Sequence, residues 1–391
     1  MRKLTLRKNE ERRLLAGHQW IFSNELAEIP KDIPAGEVVS LYSHSKKFLG
    51  VGFFNPRSLI AFRLLSRSEE DVSREFFEAR FRAALELRKK IYPDKKTNAF
   101  RLVHAESDHL SGLIVDKFDS VLSVQTFSAG MERLLPEICE ALQTIFSPSA
   151  IVIRNESELR ALEGLERYKR LERGALEGKV EICDDDLFYL VDAMNGHKTG
   201  FFLDQRENRK KIRALAQNAD ALDVFASDGG FALNACKAGA RSVLAIDSSE
   251  DALARAVANA ERNGFRQLET LKADAFEALE ALAKEGRRFD LVTLDPPSLT
   301  KSKKNVPTAL QAYRKLNRLA LSLVKPGGFL ATSSCSHHVD EAEFFNVVQR
   351  ASLDAKREIA LLEKSSQAPD HPILLSMPET KYLKFGLFAV R

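Results

Sequence analysis

From about residue 186 onward, apolar segments of strand length alternate with segments whose apolar residues recur at helical spacing. Strand-like ALDVF, SVLAID, ETLKAD, FDLVTLDPP and GGFLATSSC are each followed by an amphipathic helical stretch, and LKFGLFAVR supplies a last strand. This alternation is typical of βαβ units, whose parallel strands share one sheet with helices on both faces. The pattern therefore predicts an α/β fold with a doubly wound parallel sheet for residues 186–391.

The chain before this alternation follows two other patterns. Residues 1–70 contain short strand-like segments separated by turn residues such as Pro34 and Gly36, which predicts a small β-barrel. Residues 71–185 begin with a helical stretch at 73–92 and then mix strand-like GLIVDKF, VLSVQTF and AIVIRN with helical ERLLPEICEALQTIF. We therefore expect three domains, with a mixed α+β domain in the middle.

Positive charge is concentrated at the beginning of the chain. Residues 1–67 contain 12 Lys and Arg against 6 Asp and Glu, whereas the remainder contains 47 against 49. A basic module joined to a nearly neutral body indicates contact with a polyanion, and a solvated basic face is the equal alternative.

Several protein classes are excluded by what the sequence lacks. No apolar stretch approaches the roughly 18 residues of a membrane span, and MRKLTLRKNEERR at the start lacks the apolar core of a signal peptide. The 4 cysteines form no CxxC pair, so neither a disulfide framework nor a metal site is expected. We expect a cytoplasmic protein with reduced thiols and neither a metal nor a membrane partner.

Polar residues follow the predicted strands, at the edge where ligands of parallel sheets bind. The first strand leads into DVFASDGGF, which begins at Asp223 and contains Gly229 at the turn into a helix. The glycine spacing differs from GxGxxG, and no GxxxxGK[ST] run is present, which disfavours a dinucleotide enzyme or a phosphate loop. Acidic residues around such a turn suit a ligand with a cationic group.

Aspartates also end the next three strands. Asp247 ends the second strand, where a carboxylate can accept both hydroxyls of a ribose. Asp274 ends the third strand, where it can meet an adenine amino group beside Ala275 and Phe276, and Asp295 ends the fourth. A helix N-cap is the alternative role for any single aspartate. Four in succession favour a ligand site.

These residues carry a family resemblance. Residues 221–335 resemble the class I S-adenosylmethionine (SAM)-dependent methyltransferase fold. The run GHKTGFFLDQRENR at 196–209, followed by DGGF, DPPS and SSCS, is similar to bacterial and archaeal 23S ribosomal RNA cytosine-C5 methyltransferases with an N-terminal PUA domain. GHQWIFSNEL and RLVHAESDHLSGLIVDKF extend the similarity over nearly the whole chain.

The resemblance implies a domain order, a cofactor and partners. Residues 1–70 would form the PUA-like RNA-binding barrel, 71–185 the central domain and 186–391 the methyltransferase domain. The cofactor would be SAM, and the partner would be 23S rRNA or a precursor of the large ribosomal subunit, with a homodimer as an open option. The cofactor-binding residues are predicted to be Asp204, Gln205, Arg206, Asp223, Phe225, Asp228, Gly229, Asp247, Asp274, Ala275 and Asp295. The RNA-binding residues are predicted to be Lys198, Lys301, Lys303 and Lys304, with a solvated turn as the alternative for the last three.

Methylation of cytosine C5 calls for a cysteine, because C5 becomes nucleophilic only after a thiolate adds to C6. Cys335 in ATSSCSHH ends the fifth strand beside Asp295, and we predict that it is the nucleophile. A small buried side chain is its alternative role. Asp295 is predicted to hydrogen-bond the N3 or N4 edge of the cytosine. The acceptor of the C5 proton stays open among His337, His338, Lys198 and a water molecule.

Other functions compete with this interpretation. A better-known RNA cytosine-C5 pattern has a second cysteine after the proline, whereas this chain has Pro297 and Ser298. The DPP motif also resembles [DN]PP sites, so methylation of an exocyclic amine or of guanine N7 without a covalent step is the runner-up. A non-catalytic RNA-binding assembly factor is a third option, against which the intact set of aspartates and Cys335 argues.

Overall fold

The computed structural model describes residues 1–94, 96–300 and 302–391. Within these residues, the chain divides into two compact units. The first unit comprises Met1–Ile182, Val191–Leu203 and Pro369–Thr380. The second unit comprises Cys183–Leu190, Asp204–Ala368 and Lys381–Arg391.

The first unit begins with a five-stranded sheet. Its elements are β1 (Arg2–Thr5), α1 (Arg12–Leu15), β2 (Trp20–Ile21), β3 (Glu37–Tyr42), β4 (Phe48–Phe54) and β5 (Phe62–Ser66). The strand order is β1-β3-β4-β5-β2, in which β1 and β3 are parallel and the other pairs antiparallel. Apolar residues of these strands, among them Val39, Phe54 and Phe62, are fully buried in one core. The short strands predicted from the turn residues are therefore present.

A second five-stranded sheet completes the first unit. Its elements are α2 (Arg74–Ile91), β6 (Ala99–His104), β7 (Leu113–Phe118), β8 (Val121–Thr126), α3 (Ala129–Arg133), α4 (Leu135–Phe146), β9 (Ala150–Asn155) and β10 (Tyr168–Gly174). The strand order is β10-β9-β8-β7-β6. The helix predicted over ERLLPEICEALQTIF is interrupted at Leu134, because Pro136 in the first turn of α4 has no N–H for a preceding turn.

The second unit contains the predicted alternation. After the two-stranded sheet of β11 (Val180–Cys183) and β12 (Phe188–Val191), the chain forms short helices and then the strands and helices of a larger sheet. These are α5 (Arg206–Lys211), α6 (Arg213–Ala216), β13 (Asp220–Val224), α7 (Gly230–Lys237), β14 (Ser242–Asp247), α8 (Glu250–Arg262), β15 (Leu268–Lys272), α9 (Ala275–Lys284), β16 (Phe289–Leu294), α10 (Val306–Leu323), β17 (Val324–Ser334), α11 (Glu341–Asp354), β18 (Ile359–Ser365) and β19 (Lys384–Val390). In the described part of both units, short 3₁₀ helices occur at Ser23–Glu25, Ala105–Asp108, Glu158–Glu163, Leu203–Gln205, Lys303–Asn305 and Pro378–Thr380.

The order of the seven-stranded sheet is β15-β14-β13-β16-β17-β19-β18. The strands β13 to β17 are mutually parallel, whereas β19 runs antiparallel between β17 and β18. Strand order reverses between β13 and β16, and such a switch point opens a crevice at the carboxyl ends of the strands. The predicted doubly wound α/β fold is confirmed, and the antiparallel strand is an addition to it.

Helices cover both faces of this sheet. Buried residues of α9, α10 and α11, such as Leu279, Leu316 and Phe344, pack against one face. Phe231 and Ala235 of α7 pack against the other. No described helix combines the length and the apolar composition needed to cross a membrane.

Candidate functional site

The turn between β13 and α7 has an unusual backbone. Phe225, Ser227 and Gly229 all have positive φ, at 65°, 48° and 83°. A Cβ added to Gly229 would lie 2.6 Å from Leu233 Cδ1 and 3.1 Å from Ala256 Cβ. The turn therefore needs glycine at 229, both for its left-handed backbone and for the close approach of α7 and α8.

The side chain of Asp223 stabilises this turn through hydrogen bonds. Its side chain is 2% exposed, with Oδ2 accepting from the Ala232 amide at 2.9 Å and Oδ1 accepting from Thr293 Oγ1 at 2.6 Å. Burial raises the pKa of the Asp223 carboxyl to about 7, against the effect of both hydrogen bonds. Asp223 lies within β13 rather than at its end. Both of its carboxyl oxygens thus accept hydrogen bonds from within the protein.

Two further aspartates of this region differ in exposure. Asp228 is 3% exposed, and its Oδ1 accepts from Arg255 Nε at 2.7 Å. Asp247, the last residue of β14, is partly exposed and accepts from the amides of Ser227 and Ser249, each at 2.9 Å. At the carboxyl end of β14, Asp247 is therefore accessible to a ligand, and its carboxylate is oriented by two backbone amides.

Asp274 lies two residues beyond β15 and caps α9. Its Oδ1 accepts from the Phe276 amide at 2.9 Å and the Glu277 amide at 3.2 Å, and its side chain is exposed. The capping role considered for this aspartate is confirmed, and a ligand contact stays a prediction. The Ala275 side chain packs in the core, whereas Phe276 is partly exposed, with Lys315 Nζ 5.2 Å from its ring centroid.

Before β13, the side chains of Asp204 and Arg206 are bonded to other residues of the chain. Asp204 is 2% exposed, and its Oδ2 accepts from the Tyr382 hydroxyl at 2.7 Å. Arg206 is 1% exposed, with its Nε 2.7 Å from Asp184 Oδ1. The pairing of Arg206 with Asp184 was not anticipated, because Asp184 belongs to a loop with no sequence signal for it.

Gln205 connects this segment to the strand ends. Its Nε2 donates to Asp295 Oδ1 at 2.8 Å and to Ser333 Oγ at 3.3 Å, and Ser333 Oγ also donates to Asp295. Asn208 Nδ2 donates to Gln205 Oε1 at 2.7 Å, which fixes the orientation of the amide. The predicted Gln205 and Asp295 are thus brought into direct contact, and Asp295 is oriented by two donors.

Cys335 follows the last residue of β17, next to the end of β16. It is partly exposed, and its thiol donates to the Pro296 carbonyl oxygen at 3.9 Å. Because β16 and β17 are parallel neighbours, Asp295 and Cys335 lie at the same edge. The structure therefore brings together the two residues predicted to be catalytic.

The other cysteines have different surroundings. Cys139 and Cys236 are buried, and burial raises the pKa of both thiols to about 12. Burial also raises the pKa of Cys183, which is partly exposed. A raised pKa keeps a thiol protonated and unreactive at neutral pH. None of the three is on the edge that carries Cys335.

The sequence analysis missed a group of polar residues around Cys335. The Tyr313 hydroxyl accepts from Ser334 Oγ and bonds to Ser336 Oγ, each at 2.9 Å. Lys384 is 4% exposed, and its Nζ donates to the carbonyl oxygens of Ser336 at 2.6 Å and Tyr382 at 2.9 Å. Burial lowers the pKa of Lys384 to about 8. The available signal was the lysine at the second position of LKFGLFAVR, followed by an apolar stretch up to Val390.

The predicted RNA-binding lysines are separated. Lys198 is exposed and belongs to the first unit, with Nζ 4.5 Å from the Phe202 ring centroid. Lys303 and Lys304 are exposed in the 3₁₀ turn before α10. Lys301 lies outside the described residues. Their contact with RNA stays a prediction.

Two histidines follow Cys335. His337 is exposed and His338 partly exposed, with ring centroids 6.0 Å apart. In the part of the chain that the structure describes, no group of three or more His, Cys, Asp and Glu is arranged to hold a metal ion.

Comparison with protein families adds two matches to this geometry. Residues 4–67 match a PUA-like domain, and residues 111–375 match an S-adenosylmethionine-dependent methyltransferase. A Pseudoalteromonas translucida protein named ribosomal RNA large subunit methyltransferase I is 37% identical over 97% of both chains. The Klebsiella pneumoniae protein of that name is 34% identical over 98% of this chain and 96% of its own.

Solved structures share the fold. A Streptococcus mutans protein assigned as a SAM-dependent methyltransferase matches with a TM-score of 0.84 at 21% identity, over 100% of both chains. A second structure, of a protein assigned as a methyltransferase in complex with SAH, matches with a TM-score of 0.85 at 20% identity and the same coverage. The resemblance based on the GHKTGFFLDQRENR run and the predicted cofactor, SAM, are confirmed. This chain belongs to the S-adenosylmethionine-dependent methyltransferases that carry a PUA-like domain.

Proposed function

We propose that this protein forms 5-methylcytosine in 23S rRNA through a covalent bond between Cys335 Sγ and C6 of the target cytosine. The observation that carries the proposal is the thiol of Cys335, 3.9 Å from the Pro296 carbonyl oxygen and on the same edge as Asp295. The names of relatives that match nearly the full chain support ribosomal RNA as the substrate.

The residues at the switch point fit the cofactor. Ser227 Oγ is buried and has no hydrogen-bond partner among the described residues, so it can bond to a ligand. Asp247 presents an oriented carboxylate for the ribose hydroxyls, and Gly229 leaves the backbone accessible. SAM, when bound, supplies an electrophilic methyl group. We assign its remaining contacts to Asp204, Gln205, Arg206, Phe225, Asp228, Asp274 and Ala275, with Asp223 acting through the turn that it holds.

Cys335 and Asp295 have different roles in the proposed reaction. The Cys335 thiolate adds to C6, and the electron pair displaced from the C5–C6 bond makes C5 nucleophilic. Asp295, oriented by Gln205 and Ser333, stabilises the proton on the N3 or N4 edge. C5 accepts the methyl group and loses its proton to a base, which expels the thiolate as the C6–S bond breaks. The base stays open among His337, His338, Lys198 and water.

RNA contacts would come from exposed cations. We propose that Lys198, Lys303 and Lys304 bind phosphates, together with Lys301, and that the basic residues 1–67 bind the RNA backbone. The PUA-like match at 4–67 supports the first boundary of the proposed domains 1–70, 71–185 and 186–391. An rRNA substrate accords with the cytoplasmic location that we propose. The homodimer stays a prediction.

The test is methylation of unmodified 23S rRNA transcript with SAM, followed by mass spectrometry of its nucleosides. We expect 5-methylcytidine from the wild type and from Cys183→Ala, a control that alters a cysteine away from this edge, and none from Cys335→Ala. Transcript containing 5-fluorocytidine should give a covalent adduct that depends on Cys335. Methylation by Cys335→Ala, or a product that is an N-methylated base, would instead support the non-covalent alternative that the DPP motif suggests.

A further inference from the structure

Lys384 is held against the main chain that carries the nucleophile. It is the first residue of β19 and pairs in register with Ser334, the residue before Cys335. Its ammonium donates to the carbonyl oxygen of Ser336, the residue after Cys335, at 2.6 Å. The side chain is 4% exposed, so the charge lies in a poorly solvated position. Two carbonyl oxygens solvate this ammonium without neutralising it.

Among the charged groups that face Lys384, Cys335 has the largest electrostatic effect on it. After burial, the largest effect on the pKa of Lys384 is that of Cys335, which raises it; Lys381 lowers it, and Asp340 and Glu341 raise it less. Glu341 is paired with Lys381 at 2.6 Å and also with Lys364. Among the described residues, no carboxylate forms an ion pair with Lys384. A negative charge on Cys335 would therefore complete an otherwise uncompensated site.

We propose that Lys384 is a positioning residue that keeps Cys335 in the thiolate form, with its ammonium as the counter-charge. The thiol proton leaves to solvent and Lys384 stays protonated, so no other group changes its charge. An adjacent cation favours the ionised thiol, which is the form that attacks carbon. This inference rests on the proposed function, since only a nucleophilic cysteine needs such help.

The direct test measures the alkylation rate of Cys335 by iodoacetamide between pH 6 and pH 10, with peptide mass spectrometry and no RNA. In Lys384→Met we expect the apparent pKa of Cys335 to rise by about one unit or more, so that alkylation at neutral pH slows about tenfold. Lys364→Met removes a lysine that pairs with Glu341 and should leave the profile unchanged. Identical profiles for wild type and Lys384→Met would overturn the proposal.

A reciprocal measurement avoids any folding defect of Lys384→Met. In Cys335→Ala, the pKa of Lys384, followed by NMR of its Cε group, should fall relative to wild type, because coupling acts equally in both directions. An unchanged Lys384 titration would also overturn the proposal. A coupled pair in a protein whose Cys335→Ala variant still methylates RNA would show that Lys384 and Cys335 interact but would remove the proposed function, so the two failures are distinguishable.

The rate of methylation gives a signature that a structural role would not produce. Lys384→Met should lower kcat about tenfold at neutral pH, with recovery above pH 9 as Cys335 ionises unaided, and should leave the KM for SAM unchanged. A loss that is the same at every pH would contradict the proposal.

Discussion

The two sides of the seven-stranded sheet's carboxyl edge are built differently. On the proposed cofactor side, within or just after β13, β14 and β15, aspartates accept mainly from backbone amides. Asp223 accepts from Ala232 and also from the Thr293 hydroxyl, Asp247 from Ser227 and Ser249, and Asp274 from Phe276 and Glu277. On the nucleophile side, after β16 and β17 and before β19, side chains bond to one another: Gln205, Asp295 and Ser333, then Tyr313, Ser334 and Ser336.

This difference separates two consequences of substitution. An aspartate that accepts from amides shapes the turn that it occupies, so its loss affects both stability and cofactor binding. A side chain held by other side chains can be altered while the backbone keeps its conformation. Apart from Gln205, which we also assign to the cofactor, we therefore expect substitutions on the nucleophile side to lower the rate with little effect on cofactor affinity.

The largest effect is expected for Asp295→Asn. The amide retains an oxygen for Gln205 and Ser333 but loses the charge that stabilises the protonated cytosine, so kcat should fall about 100- to 1000-fold. Calorimetric SAM affinity should stay within about twofold of wild type. Asp290→Asn, at the other end of β16 and paired with Lys325 at 2.9 Å, is the matched control for rate. An equal loss of SAM affinity would place Asp295 on the cofactor side and break the comparison.

Asp247→Asn should give the next largest effect. The charge-assisted bonds to the ribose are lost, while one oxygen still accepts from the Ser227 or Ser249 amide. SAM affinity, measured by calorimetry, should fall about 10- to 100-fold, with kcat at saturating SAM nearly unchanged. Asp251→Asn, an exposed residue in the first turn of α8, controls for the change in charge. Wild-type affinity in Asp247→Asn would remove Asp247 from the site.

Gly229→Ala tests the cofactor side through the free energy of unfolding. Both the positive φ of 83° and the 2.6 Å approach to Leu233 Cδ1 oppose a Cβ, so we expect a loss of about 2 kcal/mol in the free energy of unfolding. Gly264→Ala has a similar φ of 73° and nothing within 4 Å, so it should cost only about 1 kcal/mol. Chemical denaturation measures both. Equal losses would mean that close packing contributes nothing at residue 229.

The last prediction concerns the pH dependence of stability. Because the pKa of Asp223 is raised from 3.8 to about 7, the folded state binds a proton that the unfolded state releases. Asp223 therefore contributes stability below about pH 4, and this contribution is lost as pH rises towards 7, with a slope of at most about 1.4 kcal/mol per pH unit. Asp223→Asn should remove this slope in denaturation measured from pH 4 to pH 7. An unchanged slope would mean that Asp223 is ionised in the folded protein.

Local sequence patterns predicted many residues of the candidate site. Asp223, Asp247, Asp274 and Asp295 were found because each stands within or just after an apolar strand, and parallel strands share one carboxyl edge. Tyr313 was missed because a tyrosine inside an amphipathic helix has no distinguishing spacing. Local patterns likewise placed the helix before β9 but not its interruption before Pro136, since a proline is tolerated in a first turn.

The sequence by itself determined the alternation of strands and helices, the turn at Gly229 and the polar residues near the end of each strand, because backbone preference and burial period are local properties. Only the tertiary structure decided which strand ends lie next to one another in the sheet. Strand β19 enters antiparallel beside β17, so its first residue, Lys384, reaches the edge where β17 ends at Ser334. The choice of neighbour depends on packing between segments far apart in the chain, which no local pattern encodes.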